Sequence, residues 1–143
     1  MVSVAAVRYC GAMQPAPSDV WSIPLPNGRS VSAVTHTPGG SAPAPWVVLY
    51  APGAGSNLHD PFGVYFCRAL ADAGLAAVRF QFPYTEAGSK RPDPPALLEA
   101  TWRAAVEACQ PLGARVAVTG RSMGGRIASM AVAKGMEIGR AHV

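Results

Sequence analysis

Ser122 stands between two glycines in the run Gly120-Arg121-Ser122-Met123-Gly124. A serine hydroxyl is a useful nucleophile only where its turn exposes it and a neighbouring base draws off its proton. The run RVAV from Arg115 to Val118 predicts a strand before the turn, and a helical pattern runs from Ser122 to about Lys134. In a sharp strand-to-helix turn, the amide of the next residue, Met123, can face a developing oxyanion. The pattern therefore predicts Ser122 as a catalytic nucleophile and the Met123 N–H as an oxyanion donor.

A second glycine-rich segment, Pro52-Gly53-Ala54-Gly55, follows the apolar run Trp46 to Tyr50. Such a run is typical of a strand buried on both faces of a sheet, and ligands bind at the carboxyl ends of such strands. We therefore expect the two glycine-rich segments to meet, with the Ala54 N–H as a second oxyanion donor. Loss of one such donor typically costs about 100-fold or more in rate. By itself the segment could equally be a simple loop, and its pairing with the serine turn favours the functional interpretation.

A phosphate-binding glycine turn is the alternative interpretation of the serine segment. It is disfavoured because the chain lacks the Gly-x-Gly-x-x-Gly spacing with an acidic residue about twenty positions later. The Gly-Lys-Ser/Thr ending of a P-loop is also missing. A nucleotide-binding protein therefore ranks below a protein with a nucleophilic serine.

The elements that must position these segments begin with a hairpin around Asn27-Gly28, a dipeptide that accepts positive φ at both central turn positions. Helical spacing, buried strand patterns and glycine stops predict the remaining elements. The order is hairpin strands Val20 to Pro26 and Ser30 to His36, strand Trp46 to Tyr50, helix Pro61 to Ala73, strand Leu75 to Phe82, a long polar loop Pro83 to Asp93, a helix from about Pro94, strand Arg115 to Val118, and the helix after Ser122 with Gly135 as its cap. This alternation predicts an α/β fold with a mostly parallel sheet, helices on both faces and an N-terminal β-hairpin.

Composition narrows the class of protein. The 143 residues are 50% hydrophobic and 14% charged, and the net charge of +4 comes from scattered arginines. An ordinary surface explains this better than a preference for anionic ligands, and no basic stripe with interleaved aromatic residues indicates nucleic-acid binding. No apolar run reaches the about 18 residues of a membrane helix. The chain has an odd number of cysteines, and they are widely spaced: Cys10, Cys67 and Cys109. This argues against a disulfide framework or a metal site. The cysteines indicate reduced, core-filling thiols in a cytoplasmic protein. We also expect no cofactor.

Four motifs in a fixed order resemble one known superfamily. They are PGAG after an apolar strand, AAVRFQFPY, KRPDPP before a helix with LLEATWRAAVE, and GRSMGGRIASM. From about Pro45 to Gly135 the chain resembles the N-terminal part of the α/β-hydrolase superfamily. The branch is that of bacterial predicted hydrolases, which are dienelactone-hydrolase-like and related to the testis-expressed and chromatin-complex-subunit type of hydrolase-like domain.

This resemblance implies a serine hydrolase, an esterase or dienelactone-hydrolase-like enzyme, that acts on a small-molecule ester or acyl substrate. Ser122 carries over as nucleophile, and the amides of Ala54 and Met123 as the oxyanion hole. Pro52 stands where the family usually has a histidine that helps to fix the loop. The matching residues Arg121, Arg126 and Tyr84 are interpreted as structural or as supports for the site residues rather than as catalytic. The alternative is a non-catalytic, hydrolase-like protein-interaction domain with a protein partner.

The family's catalytic acid and histidine follow the serine in the chain. Here Asp19, Asp60, Asp72, Asp93, His36 and His59 all precede Ser122. Only Glu137 and His142 follow it, and they lie too close together to reach the ends of two later strands. His36 lies at the end of a predicted edge strand, and His59, near the glycine loop, is the one candidate for a substitute contact. We therefore expect the fold to be truncated after the helix that follows Ser122, and this chain to be inactive by itself.

The two ends of the chain also carry predictions. Residues 137–143, EIGRAHV, can be encoded by GAGATCGGAAGAGCACACGTC, which looks like a sequencing adapter read in frame. We interpret these residues as an adapter scar, residues 18–136 as the N-terminal part of the hydrolase domain, and residues 1–17 as an uncertain N-terminal extension.

Overall fold

The computed structural model describes residues 20–40, 44–113 and 115–137. Within these ranges, five strands form one sheet, accompanied by four α-helices and one short 3-10 helix. The strands are β1 (Val20–Pro24), β2 (Ser30–His36), β3 (Trp46–Ala51), β4 (Ala76–Phe80) and β5 (Arg115–Gly120). The helices are α1 (Pro61–Asp72), α2 (Pro83–Glu86), α3 (Pro95–Cys109) and α4 (Met123–Ala133), with the 3-10 helix at Gln110–Leu112.

The strand order is β1-β2-β4-β3-β5. Strands β4, β3 and β5 are parallel to one another, as the strand-helix alternation predicts. The hairpin around Gly28, which has φ 84°, is confirmed, and β2 pairs antiparallel with β4. Strand β2 therefore lies inside the sheet, and the prediction that His36 ends an edge strand is wrong. Alternating apolar and polar residues predict the two strands of a hairpin. They do not show which further strand will pair with the second one.

Apolar clusters lie on both faces of the sheet, which confirms the predicted layers. Helices α3 and α4 cover one face, where Phe80, Trp102 and Ile127 belong to the larger cluster. Helix α1 covers the other face, where Cys67 packs with Tyr50. Burial raises the pKa of both described thiols, those of Cys67 and Cys109, to about 12, so these cysteines fill the core as neutral groups.

Helix α1 begins and ends where its sequence indicates. The Asp60 carboxylate caps its first turn, and Pro61 occupies the first helical position, where a missing N–H costs nothing. Gly74, with φ 95°, ends it one residue after the cap. Gly135, with φ 90°, ends α4 in the same way, as predicted.

The segment Pro83 to Asp93 differs from the polar loop that its composition predicts. It contains α2, and Pro83 and Tyr84 are buried. The Tyr84 ring stacks on Phe82 with the ring centroids 6.4 Å apart and 9° between the planes. The polar composition of the segment favours an exposed loop. The burial of the Phe82 and Tyr84 rings instead holds the start of the segment against the core.

Trp102 joins α3 to the start of α4, and its substitution gives a first prediction. Its Nε1–H donates to Gly124 O at 3.0 Å, and its ring meets Phe80 edge to face at 4.9 Å. We expect Trp102→Phe to lower the free energy of unfolding by about 2 kcal/mol through lost volume and a lost hydrogen bond. Urea denaturation of the full-length protein measures this change. A loss below about 0.5 kcal/mol would contradict the packing role.

Several predictions fall outside the described residues. The N-terminal extension, Cys10, His142 and all but the first residue of the predicted adapter segment lie there. None of the helices in the described ranges is long and apolar enough to cross a membrane.

Candidate active site

Ser122 lies between the last residue of β5 and the first residue of α4, with an exposed side chain. Its backbone has φ 46° and ψ −115°, and among the described residues it is the only one other than glycine with positive φ. Such a conformation costs an L residue about 1–3 kcal/mol and persists only where the surroundings impose it. The Gly124 N–H donates to Arg121 O at 2.9 Å, and the Arg126 N–H donates to Ser122 O at 2.9 Å. These bonds close the turn and leave the hydroxyl open to solvent.

Glycines surround this turn because backbone atoms occupy the space of their missing side chains. A Cβ on Gly120 would lie 2.7 Å from Ala51 O, and one on Gly125 would lie 2.7 Å from Gly120 O. A Cβ on Gly124 would overlap the carbonyl oxygens of Ala51 and Pro52. Helix α4 can therefore begin directly against the end of β3 only if these positions lack side chains.

The glycine-rich segment after β3 contacts the serine turn, so the predicted convergence is confirmed. The Cβ position of Gly53 lies 3.6 Å from Ser122 Cβ and 3.5 Å from Arg121 O. The Arg121 N–H donates to Ala51 O at 3.1 Å, which continues the pairing of β5 with β3 into the turn. The two segments therefore form one site at the carboxyl edge of the sheet.

The two predicted oxyanion donors lie on these two segments. Ala54 is exposed at the tip of a turn that the Ser56 N–H closes by donating to Gly53 O at 3.1 Å. Met123 is the first residue of α4, so its N–H has no acceptor within the helix. The Met123 amide directly follows Ser122 in the chain, and Ala54 follows Gly53, which contacts the serine turn. The role of both amides as oxyanion donors stays a prediction.

Residues after β4 hold the glycine-rich segment in place. The Gly55 N–H donates to the Tyr84 hydroxyl at 3.2 Å, and Thr85 Oγ1 donates to Ser56 O at 3.4 Å. Helix α2 thus supports the glycine-rich segment through these two hydrogen bonds. The resemblance pointed to a structural or supporting role for Tyr84, but the polar composition of the segment did not predict the helix that carries it.

Asp60 ties the far end of the same loop to its neighbours. Its carboxylate accepts hydrogen bonds from the Phe62 and Gly63 N–H groups at 3.3 and 3.2 Å and from the Tyr50 hydroxyl at 2.7 Å. Burial and then this hydrogen bond raise the pKa of Tyr50 well above its usual range, so the phenol stays protonated. The Arg121 guanidinium lies 3.8 Å from the carboxylate. These contacts give Asp60 a structural role. The position of Arg121 beside it agrees with a structural interpretation of Arg121.

Neither described histidine hydrogen-bonds to Ser122. His36 is buried, and its Nε2 accepts from Arg79 Nε–H at 3.0 Å. Arg79 also donates to Leu58 O, at the end of the glycine loop. The His59 side chain is exposed, and no hydrogen bond joins it to Ser122 in the described residues, which leaves the substitute contact without support. Glu137 and Arg126 are both exposed.

The buried His36 should make the folded protein less stable in acid. Burial, followed by the charges of Arg79 on β4 and Arg68 on α1, lowers the pKa of His36 from 6.5 to about 4. The unfolded chain therefore binds this proton near pH 6.5 and the folded chain only near pH 4, so stability falls as the pH drops through that window. The loss approaches about 3 kcal/mol.

We expect His36→Gln, which keeps an acceptor for Arg79 but does not titrate, to lose less stability between pH 7 and pH 4.5. Urea denaturation of both full-length proteins at the two pH values checks this difference. Equal losses in the two proteins would contradict a neutral, buried His36.

Solved structures share this architecture. A lidless α/β serine hydrolase from Xanthomonas campestris superimposes with a TM-score of 0.68 at 21% identity, over 80% of this chain and 55% of that one. An α/β serine hydrolase homologue from Coxiella burnetii gives a TM-score of 0.68 at 17% identity, over 86% and 61%. A dienelactone hydrolase from Anabaena variabilis gives 0.67 at 23% identity, over 83% and 58%. The chain thus spans between about half and three fifths of the length of these structures. No curated protein matches the sequence significantly.

The five-stranded mixed sheet with helices on both faces therefore has the α/β-hydrolase fold over the part that this chain shares with these structures. The model of the alpha/beta hydrolase domain family matches residues 44–141, which is more than half of the chain. The chain belongs to this family, as its motifs predict. The match extends into the segment interpreted as an adapter scar, and the domain boundaries stay predictions.

Proposed function

We propose that the full-length protein is a serine hydrolase that cleaves a small-molecule ester or related acyl substrate through Ser122. The observation that carries this proposal is the strained backbone of Ser122, which the fold maintains although the side chain is exposed and packs no core. Strain of this kind at a strand-to-helix turn supports a functional role, because nothing in the packing of the turn requires a serine there.

The proposed reaction begins with attack of Ser122 Oγ on the acyl carbonyl carbon, while a histidine accepts the hydroxyl proton. The carbonyl oxygen becomes an oxyanion, which the N–H groups of Ala54 and Met123 bind. The oxyanion collapses, the alcohol leaves with the proton from the histidine, and water then hydrolyses the acyl-serine by the same steps. We propose that the acid and the histidine lie in sequence beyond this chain, which by itself would be nearly inactive. Its buried, free thiols fit a cytoplasmic location.

Covalent labelling of the full-length protein with a fluorophosphonate tests the proposal. The reagent should add its phosphonyl group to the tryptic peptide that begins at Ser122 and ends at Arg126, with loss of fluoride. Heat-denatured protein is the control for non-specific reaction. If the native protein is well folded by circular dichroism and remains unlabelled, it is no serine hydrolase, and the alternative of a hydrolase-like interaction domain is favoured.

A further inference from the structure

We propose that Tyr84 is a positioning residue that sets the orientation of the Ala54 N–H, an inference that rests on the proposed function. The Tyr84 hydroxyl accepts a hydrogen bond at 3.2 Å from the N–H of Gly55, the residue after Ala54. Gly55 has φ 74°, and the Ser56 N–H donates to Gly53 O at 3.1 Å across the turn. The peptides on both sides of Ala54 are thereby fixed, which limits the rotation of its N–H.

Tyr84 can act in this way because its own position is fixed. Its side chain is 4% exposed, and its ring stacks on Phe82. Its N–H donates to Asp93 Oδ2 at 2.9 Å, and its carbonyl oxygen accepts from the Ser89 N–H at 2.9 Å. The phenol oxygen therefore projects from a rigid base on to a loop that glycines make flexible. A preorganised donor depends on such support, since small displacements at a reacting centre cost large factors in rate.

The neighbouring contacts restrain the loop beyond Gly55 and do not replace the Tyr84 hydroxyl. Thr85 Oγ1 reaches Ser56 O at 3.4 Å, and Gln81 Oε1 accepts from the Leu58 N–H at 2.9 Å. Both bonds lie on the side of the loop that leads to α1. Removal of the phenol oxygen alone should therefore loosen the Ala54 turn while the rest of the loop stays attached.

The experiment compares full-length wild type, Tyr84→Phe and the control Tyr65→Phe, whose hydroxyl belongs to a side chain that is 74% exposed on α1. We expect Tyr84→Phe to lower kcat for a p-nitrophenyl ester about tenfold with KM unchanged, less than the about 100-fold cost of losing a donor outright. The rate of fluorophosphonate labelling should fall by a similar factor. Tyr65→Phe should match wild type.

The outcomes separate this inference from the proposed function. Unlabelled, well-folded wild type overturns the hydrolase proposal, and the inference with it. Labelled wild type with an unchanged kcat in folded Tyr84→Phe overturns the positioning role alone, as does a rise in KM without a fall in kcat. If Tyr84→Phe fails to fold, hydrogen exchange of the wild-type Gly55 amide decides. Protection supports the hydrogen bond to Tyr84, and exchange as fast as in an unfolded chain overturns it.

Discussion

Ser122→Ala should abolish fluorophosphonate labelling of the full-length protein and lower kcat by about 10⁴-fold or more. The substitution removes the only atom that we propose to form a bond with the substrate. Its effect on folding should be small, because the Ser122 side chain is exposed and takes part in no described hydrogen bond. Labelling, kcat and the urea midpoint, measured on the same preparation, separate loss of chemistry from loss of structure.

Ser129→Ala is the matched control for this experiment. Ser129 lies on the same helix, α4, is also exposed, and its hydroxyl donates to Gly125 O at 3.2 Å. It should keep labelling and kcat at the wild-type values. Persistent labelling of Ser122→Ala, with loss of labelling in Ser129→Ala, would place the nucleophile elsewhere.

Ser122→Gly tests the backbone strain at the same position. Glycine adopts φ 46° without the penalty of a Cβ, so this variant should be as inactive as Ser122→Ala but more stable than wild type by about 1 kcal/mol. A less stable Ser122→Gly would show that the conformation costs serine little, and the observation that carries the proposed function would then lose its weight.

Gly124→Ala should destabilise the full-length protein by about 3 kcal/mol or more, at the upper end of the cost of overpacking. Helix propensity alone predicts the opposite sign, because alanine is favoured over glycine inside a helix by about 1 kcal/mol. The difference arises because the new Cβ would overlap the carbonyl oxygens of Ala51 and Pro52. These are backbone atoms of β3 and of the glycine-rich segment, and they cannot turn aside as a side chain can. Fluorophosphonate labelling should therefore fall together with the free energy of unfolding.

Gly39→Ala is the control for Gly124→Ala, since a Cβ on Gly39 would have no atom within 4 Å. We expect a change within about 0.5 kcal/mol, as for an ordinary surface position. Equal or greater stability of Gly124→Ala in urea denaturation would mean that α4 can move away from the end of β3, contrary to the close packing of the serine turn.

Local pattern was enough to predict most of the elements. The alternation around Asn27-Gly28 predicted the hairpin, and the spacing of apolar residues after Pro61 predicted α1 to within one residue of its end. The glycines at 120 and 124 predicted a tight turn at Ser122, between β5 and α4. These features depend on interactions between near neighbours, which a sequence shows directly.

Only the tertiary structure decided how separate segments meet. It placed β2 beside β4 rather than at an edge, and it paired His36 with Arg79 across those strands. It also brought the Tyr84 hydroxyl to Gly55, 29 residues earlier in the chain. No periodicity predicts such a contact, because it depends on the strand order and on the burial of a whole face of the sheet. The sequence by itself determined which residue could be the nucleophile, and the packing of β3, β4 and β5 determined what surrounds it.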